Sequence, residues 1–303
     1  MSQNAAASEP DKYSHLTSFL AGTLSGITKL FIGHPFDTIK IRLQTEGPNG
    51  RFRGPLHCLQ STVHKEGLRA LYKGATPPLV GWVLMDSLML GTMTNLKLLQ
   101  SKDGTGGDLE LYQHALAGFG AGLNVCIIST PIELVKSQLQ LQYSNDVKLY
   151  SGPIDCVRQV VKRNGVLALW NGYAASLLFR SQFWILFGGF EYYKRVHNRN
   201  FILNESLVSF LAGGLAANSF WMFAFPLDVI KNRIMGQNMM LSSGEKITKM
   251  TILGVVKSVY RNDGIRGFYR GFLPAFLRSF PTNGGALLVF SETVKIVNGY
   301  IDA

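Results

Sequence analysis

Residues 33–44 read GHPFDTIKIRLQ and follow an apolar run, FLAGTLSGITKLFIG, at residues 19–33. The stretch places a proline, an acid and a base, Pro35, Asp37 and Lys40, at the end of a hydrophobic helix. The pattern returns twice, as PIELVK from Pro131 and PLDVIK from Pro226, at steps of 96 and 95 residues. All three copies fit P-x-[DE]-x-x-K. A motif recurring at a fixed period is the signature of a repeat architecture.

Other pieces recur in the same order. EGLRALYKG ends at Gly74, NGVLALWNG at Gly172 and DGIRGFYRG at Gly271. FRGPLHC (52–58) matches YSGPIDC (150–156), whereas the third copy has MTILGVV in that place. Upstream of each proline lie small residues four apart: Gly22 and Gly26, Gly118 and Gly122, Gly213 and Ala217. Small residues at this spacing let membrane helices approach closely.

The chain has 303 residues, of which 47% are hydrophobic and 16% charged, with a net charge of +11. Soluble domains carry about 25% charged residues, so three soluble domains fit poorly. The bases are spread along the chain without a nucleic-acid motif, and no nucleic-acid partner is expected. Cys58, Cys126 and Cys156 form no CxxC pair, which argues against a disulfide framework or a metal site. No catalytic motif of a hydrolase, metalloprotease or nucleotide-binding enzyme is present, and no cofactor is expected. The opening MSQNAAASEPDKYSH has no apolar core, so it does not read as a secretory signal.

Each copy holds two long apolar segments, at 13–44, 74–100, 110–141, 172–198, 204–236 and 271–299. About 20 apolar residues cross a bilayer. Interruptions by Gly, Pro, Ser and single charges are tolerated where a helix faces protein or water. A short amphipathic helix is expected between the two segments of each copy, at 54–65, 152–163 and 248–261. The segments point to an all-α membrane protein with six transmembrane helices in three repeats and a short helix within each. The boundaries are a polar tail at 1–12 and repeats at 13–101, 102–199 and 200–303. The in-copy loops are basic, including Arg51, Lys65, Lys162, Lys246, Lys249 and Arg261, which puts them on the negative, matrix-like or cytosolic face.

Acid and base in each motif lie three residues apart, one helical turn, and the proline kinks its helix. Three such helices around a three-fold axis can bring the acid of one copy to the base of the next. A partly shielded pair gains up to ~4 kcal/mol at an effective dielectric near 20 before desolvation, and an exposed one roughly 0–1 kcal/mol.

On the three P-x-[DE]-x-x-K motifs and the three Gly-x4-aromatic-x-Gly motifs, the chain resembles the mitochondrial carrier family over residues 13–300. The resemblance implies an all-α fold of six transmembrane helices in three pseudo-three-fold repeats with short matrix helices, and a multi-pass carrier of the mitochondrial inner membrane that moves a small solute by alternating access. It implies a matrix gate of Asp37–Lys136, Glu133–Lys231 and Asp228–Lys40. Gln44 and Gln140 would brace it, with Met235 where the third brace would be. It implies cardiolipin at the helix starts marked by Gly54, Gly74, Gly152, Gly172 and Gly271, where free N–H groups favour anions, and a monomer. An outer gate is expected from Lys97, Glu191, Lys194, Glu292 and Lys295, with Thr94 replacing the first acid.

Ionisable residues inside spans are functional candidates. Asp86, Arg180 and Arg278 lie there, and Lys29 is expected as a further buried base. Two arginines suit a carboxylate. Asp86 suits a cationic group, and Trp82 can add a cation–π contact. The expected substrate is an amino acid or a carnitine-like molecule. The alternatives are another anionic metabolite, such as a keto acid or a nucleotide, and a proton-leak protein.

Overall fold

The computed structural model describes residues 12–46, 50–101, 109–143, 149–200, 205–237 and 250–301. Lys246, Lys249, almost all of the polar tail and the side chain of Lys295 lie outside the described residues. Among the described residues the fold is helical, without strands.

Each repeat follows one plan: a long helix, a short helix, a 3-10 turn and a second long helical segment. The first copy has α1 (Lys12–Glu46), α2 (Pro55–Glu66), the turn Leu68–Tyr72 and α3 (Thr76–Gln100). The second has α4 (Leu111–Gln140), α5 (Pro153–Asn164), the turn Val166–Trp170, α6 (Tyr173–Ser181) and α7 (Phe183–Asn200). The third has α8 (Glu205–Met235), α9 (Ile252–Asp263), the turn Ile265–Tyr269 and α10 (Phe272–Ile301). Pro35, Pro131 and Pro226 lie inside α1, α4 and α8, which continue past them.

The segment read as one span at 172–198 is divided at Gln182. A Cβ at Gly122 of α4 would collide with the carbonyl of Arg180 and approach the Phe183 ring to 3.2 Å. The missing side chain therefore lets the backbone at the break press directly on α4. Gly118 takes the edge of Phe187 in the same way. In the first copy, by contrast, a Cβ at Gly22 or Gly26 would meet nothing within 4 Å. Small residues permit a close approach without compelling one.

The helices fall into two compact units, Met1–Asp37 with Leu273–Ala303, and Thr38–Phe272. In the first unit, Ser25 Oγ donates to the Ala286 carbonyl at 2.8 Å and Gly33 lies against Thr282 and Arg278. In the second, α3 packs on α4, α4 on α6 and α7, and α6 and α7 on α8. Short helices dock through apolar faces. Cys156 and Val160 of α5 join Leu134, Leu139 and Met235. Val255 and Val259 of α9 join Ile230 and Ile234.

Among the described residues, α4 alone has a stretch apolar enough to cross a membrane by length and composition. Exposed apolar faces nevertheless occur on other long helices. Leu20, Leu24, Ile27 and Phe31 form one exposed face of α1, spaced at three and four residues as one helical side requires.

Candidate functional site

The second unit collects a cluster of charges at the proline end of its long helices. Lys40 Nζ meets Asp228 Oδ2 at 2.7 Å, and Lys231 Nζ meets Glu133 Oε2 at 2.8 Å. Two of the three implied pairs are thus formed. Asp37 and Lys136 belong to different units, and their pairing stays an expectation. Lys231 also reaches Asp228 Oδ1 of its own turn at 3.4 Å, so one chain of alternating charges runs Lys40–Asp228–Lys231–Glu133. Aromatic rings shield it. Lys40 lies 4.7 Å from the centroid of Trp221, and Lys231 lies 4.4 Å from that of Phe179. A cation over a ring face is stabilised by the ring quadrupole.

One of the expected substrate arginines extends this cluster. Arg180 Nη2 contacts Glu133 Oε1 at 2.5 Å, so Glu133 carries two cations, one on each oxygen. Arg180 is buried, and its Nε has no hydrogen-bond partner. In the first unit Arg278 Nη1 lies 3.2 Å from Asp37 Oδ1. Each arginine therefore holds an acid of a proline motif. Sequence spacing did not reveal this link.

Lys29 is exposed, which corrects its reading as a buried base. It lies nine residues from Leu20, half a revolution away, and so faces opposite to the apolar side of α1. Asp86 is exposed and Trp82 half-buried. Asp86 shares its side of α3 with Leu90, Met93 and Lys97, at offsets of four, seven and eleven residues. The latter three help line a cavity of about 460 Å³ with Phe187 and Phe190 of α7 and Gly213 and Ala216 of α8. Asp86 thus lies on the cavity-lining side of α3. Of the expected outer gate, Glu191 pairs within its own helix with Arg195 Nε at 2.7 Å, while Lys97 borders the cavity.

Braces differ from copy to copy. Gln44 Nε2 donates to Asp228 Oδ2 at 3.1 Å, and Asn232 Nδ2 donates to Gln44 Oε1 at 2.7 Å. Gln140 Nε2 donates to Thr38 Oγ1 at 3.1 Å. Met235 is fully buried in an apolar cluster.

A second ring lies just beyond the charges, and the sequence reading missed it. Seven residues after each motif proline stand Arg42, Gln138 and Arg233. Arg42 Nε donates to the Gln140 carbonyl (3.2 Å), Gln138 Nε2 to the Met235 carbonyl (2.6 Å) and Arg233 Nε to the Gln44 carbonyl (2.8 Å). Each copy thus grips the next, and the third returns to the first. Glu66 holds Arg42 through both oxygens, at 2.6 and 3.1 Å, and also holds Lys73 at 2.7 Å. Burial alone would raise the Glu66 carboxyl, but its bonds to Arg42 and Lys73 outweigh burial and hold it below its ordinary range. Asp263 holds Arg233 at 2.7 Å. The second copy has Asn164 and Asn171 at the acid and base positions and Gln138 at the arginine position. Its link is therefore built from uncharged groups. Offset from the proline was the available signal.

Gly74, Gly172 and Gly271 have φ of 78°, 92° and 83°. Each also presses on the next copy. A Cβ there would lie 2.9 Å from the Lys136 carbonyl, 3.1 Å from Met235 Cγ and 3.1 Å from the Lys40 carbonyl, respectively. Gly54 and Gly152 are extended and open. A cleft of about 440 Å³ is lined by Lys73, Gly74 and Thr76 together with Tyr150, Ser151 and Gly152.

The family described as "Mitochondrial carrier protein" matches three times, over residues 11–104, 107–201 and 204–300. "Mitochondrial substrate carrier family protein L" of Dictyostelium discoideum is 39% identical over 280 residues, covering 92% of this chain and 95% of that protein. "Mitochondrial basic amino acids transporter" of Bos taurus is 33% identical over 288 residues, covering 93% and 91%. "Mitochondrial arginine transporter BAC1" of Arabidopsis thaliana is 29% identical over 299 residues, covering 92% and 93%.

Proposed function

Since the chain belongs to the mitochondrial carrier family, we propose that it is a multi-pass, six-span exchanger of amino acids, with basic amino acids as the first class to test. Members of this family are transporters, not enzymes, and membership implies the mitochondrial inner membrane. Relatives named for basic amino acids or arginine support the substrate class. The repeats at 13–101, 102–199 and 200–303 are the proposed units of the pseudo-three-fold bundle.

The observation that carries the reading is Arg180. One end of its guanidinium holds Glu133, while its Nε donor is buried without a partner. An unpartnered buried donor is costly, on the order of 1–3 kcal/mol, and a substrate carboxylate would satisfy it. Asp86 offers the opposite charge for a side-chain ammonium or guanidinium, with Trp82 beside it as a cation–π surface. Arg278 and Lys29 are proposed as further substrate contacts.

Binding and opening are coupled through the same atoms. A carboxylate that draws Arg180 from Glu133 leaves Lys231 with a less firmly held acid. The same competition at Arg278 loosens Asp37. Substrate shifts the equilibrium only by its differential affinity for the two states, and competition for Arg180 and Arg278 would supply that difference. Lys97, Glu191, Lys194, Glu292 and Lys295 are the proposed outer gate. The cleft between Gly74 and Gly152 is the proposed cardiolipin seat, and the protein is proposed to act as a monomer.

The test is counter-exchange in liposomes loaded with arginine, lysine, carnitine, a keto acid or a nucleotide. Arginine or lysine uptake that depends on internal substrate is expected, with Arg180→Gln and Asp86→Asn each lowering it at least tenfold. Uptake of every solute unchanged by Arg180→Gln refutes the site. A proton leak with no counter-exchange refutes the carrier reading.

A further inference from the structure

The second unit holds a cavity that lies apart from the charge cluster. Its volume is about 460 Å³, and it sits between α3, α7 and α8. That is within the size range of small-molecule sites, roughly 300–1,000 Å³. Small residues of α8 leave the room. Gly213 and Ala216 line it alongside the rings of Phe187 and Phe190, and even a Cβ at Gly213 would stand 3.9 Å from the Phe190 ring. Leu90 and Met93 of α3 add to a lining that is mostly apolar. Phe187 and Phe190 follow Arg180 by seven and ten residues, so the cavity begins about two helical turns beyond that arginine.

Polar groups gather at one end of it. Thr94 and Lys97 border the cavity from α3, with Lys97 one turn beyond Met93. On α7, Glu191 stands one turn beyond Phe187, on the same side of the helix. His114 of α4 interacts electrostatically with Lys97, Glu191 and Arg195 at once, so a base and an acid are neighbours at this end. Glu191 Oε1 holds Arg195 Nε at 2.7 Å, with the two side chains 20% and 47% exposed. Such a pair within one exposed helix end is weak. Arg195 also has a second anchor, because its Nη2 donates to the Leu109 carbonyl at 2.6 Å. An incoming cation can therefore share Glu191 while Arg195 stays on Leu109.

We propose that this cavity is a first binding site for an α-amino acid, occupied before the deeper site at Arg180 and Asp86. The carboxylate goes to Lys97 and the α-ammonium to Glu191. The side chain lies along Leu90, Met93 and the two phenyl rings, since a long aliphatic stem buries well against apolar surface while its charged tip stays free. The tip points along α3 toward Asp86, which shares the cavity-lining side of that helix. An amino-acid head in this site occupies Lys97 and Glu191 together, so the outer charges are released to pair only when the head has moved inward. The proposal rests on the reading of the protein as an amino-acid carrier with these helix ends at its outer mouth.

Lysine counter-exchange in liposomes of one known orientation tests it. Cadaverine, which lacks the carboxylate of lysine, and 6-aminohexanoate, which lacks its α-ammonium, serve as external competitors. Lys97→Gln should raise the outer KM for lysine about fivefold or more, with the inner KM and the potency of cadaverine unchanged. Glu191→Gln should raise the outer KM for lysine likewise and leave 6-aminohexanoate unchanged. Gly213→Leu, which fills the cavity without touching a charge, should weaken all three from the outer face alone. A KM that rises equally on both faces, or not at all, overturns the first site. So does a charge variant that weakens lysine and its trimmed analogue alike. If Arg180→Gln still lowers exchange in those cases, the deeper site and the transport reading stand. No lysine exchange by the unaltered chain overturns both.

Discussion

Glu133→Gln removes a carboxylate that carries a separate cation on each oxygen. Its oxygens lie 2.8 Å from Lys231 Nζ and 2.5 Å from Arg180 Nη2, and the three side chains are 21%, 7% and 11% exposed in that order. Breaking a buried ion pair by removing one partner costs roughly 3–5 kcal/mol. Lys231 retains Asp228 Oδ1 at 3.4 Å, so the lower end, about 3 kcal/mol, is expected. At ~2–4 °C per kcal/mol for chains of some two hundred residues, the unfolding midpoint should fall by about 6 °C. A thiol-reactive dye reads this directly, since Cys58, Cys126 and Cys156 are all buried until the protein unfolds. Lys231→Gln alone should also destabilise. The double variant should lose less than the sum, with a coupling of about 1 kcal/mol or more. A midpoint within about 2 °C of the unaltered chain, or strict additivity, would refute the reasoning. Lost stability with unchanged counter-exchange would make the cluster static glue.

Three further outcomes are expected. Gly74→Ala should lower the unfolding midpoint more than Gly172→Ala: both need a left-handed φ, costing roughly 1–2 kcal/mol, but the added Cβ meets a backbone carbonyl at position 74 and a flexible methionine at 172. Met235→Gln should destabilise by about 1–3 kcal/mol, because the residue is packed among apolar side chains and an amide there needs a partner. A raised midpoint would mean that the glutamine braces the third pair. Glu66 has a folded-state pKa below its ordinary value of 4.5. Its contribution is therefore complete above that value and is lost as pH falls through the lower, folded one. Acid titration of the unfolding midpoint should show a loss below about pH 4.5 that Glu66→Gln reduces; equal slopes would contradict the clamp on Arg42.

Lys40–Asp228 and Glu133–Lys231 were legible through the family resemblance, which rests on motifs that write acid and base one turn apart in each copy. The helix positions were legible from apolar length and recurring glycines. Arg180 was legible as a residue inside a span but not as a second partner of Glu133, since a repeat period gives equivalent positions and not the reach of a side chain. The break at Gln182 has no local breaker: it packs against Gly122, a long way back in the chain and close only after folding. Lys29 looked buried because its neighbours are apolar, yet those neighbours occupy the other side of α1. The ring of Arg42, Gln138 and Arg233 was in reach at one fixed offset, but two charged residues and an amide do not look alike until their acceptors are seen.

That ring has a consequence for how many copies the chain needs. Every copy offers one side-chain donor and one backbone acceptor, on different surfaces, so the contact is head-to-tail. Such contacts either close or run on as an open filament. Here the Arg233 bond to the Gln44 carbonyl closes them at three. A chain of two copies would leave a donor and an acceptor unmatched at opposite ends, and a fourth copy would find no vacancy. Triplication is thus the smallest duplication history that satisfies every one of these polar groups within a single polypeptide.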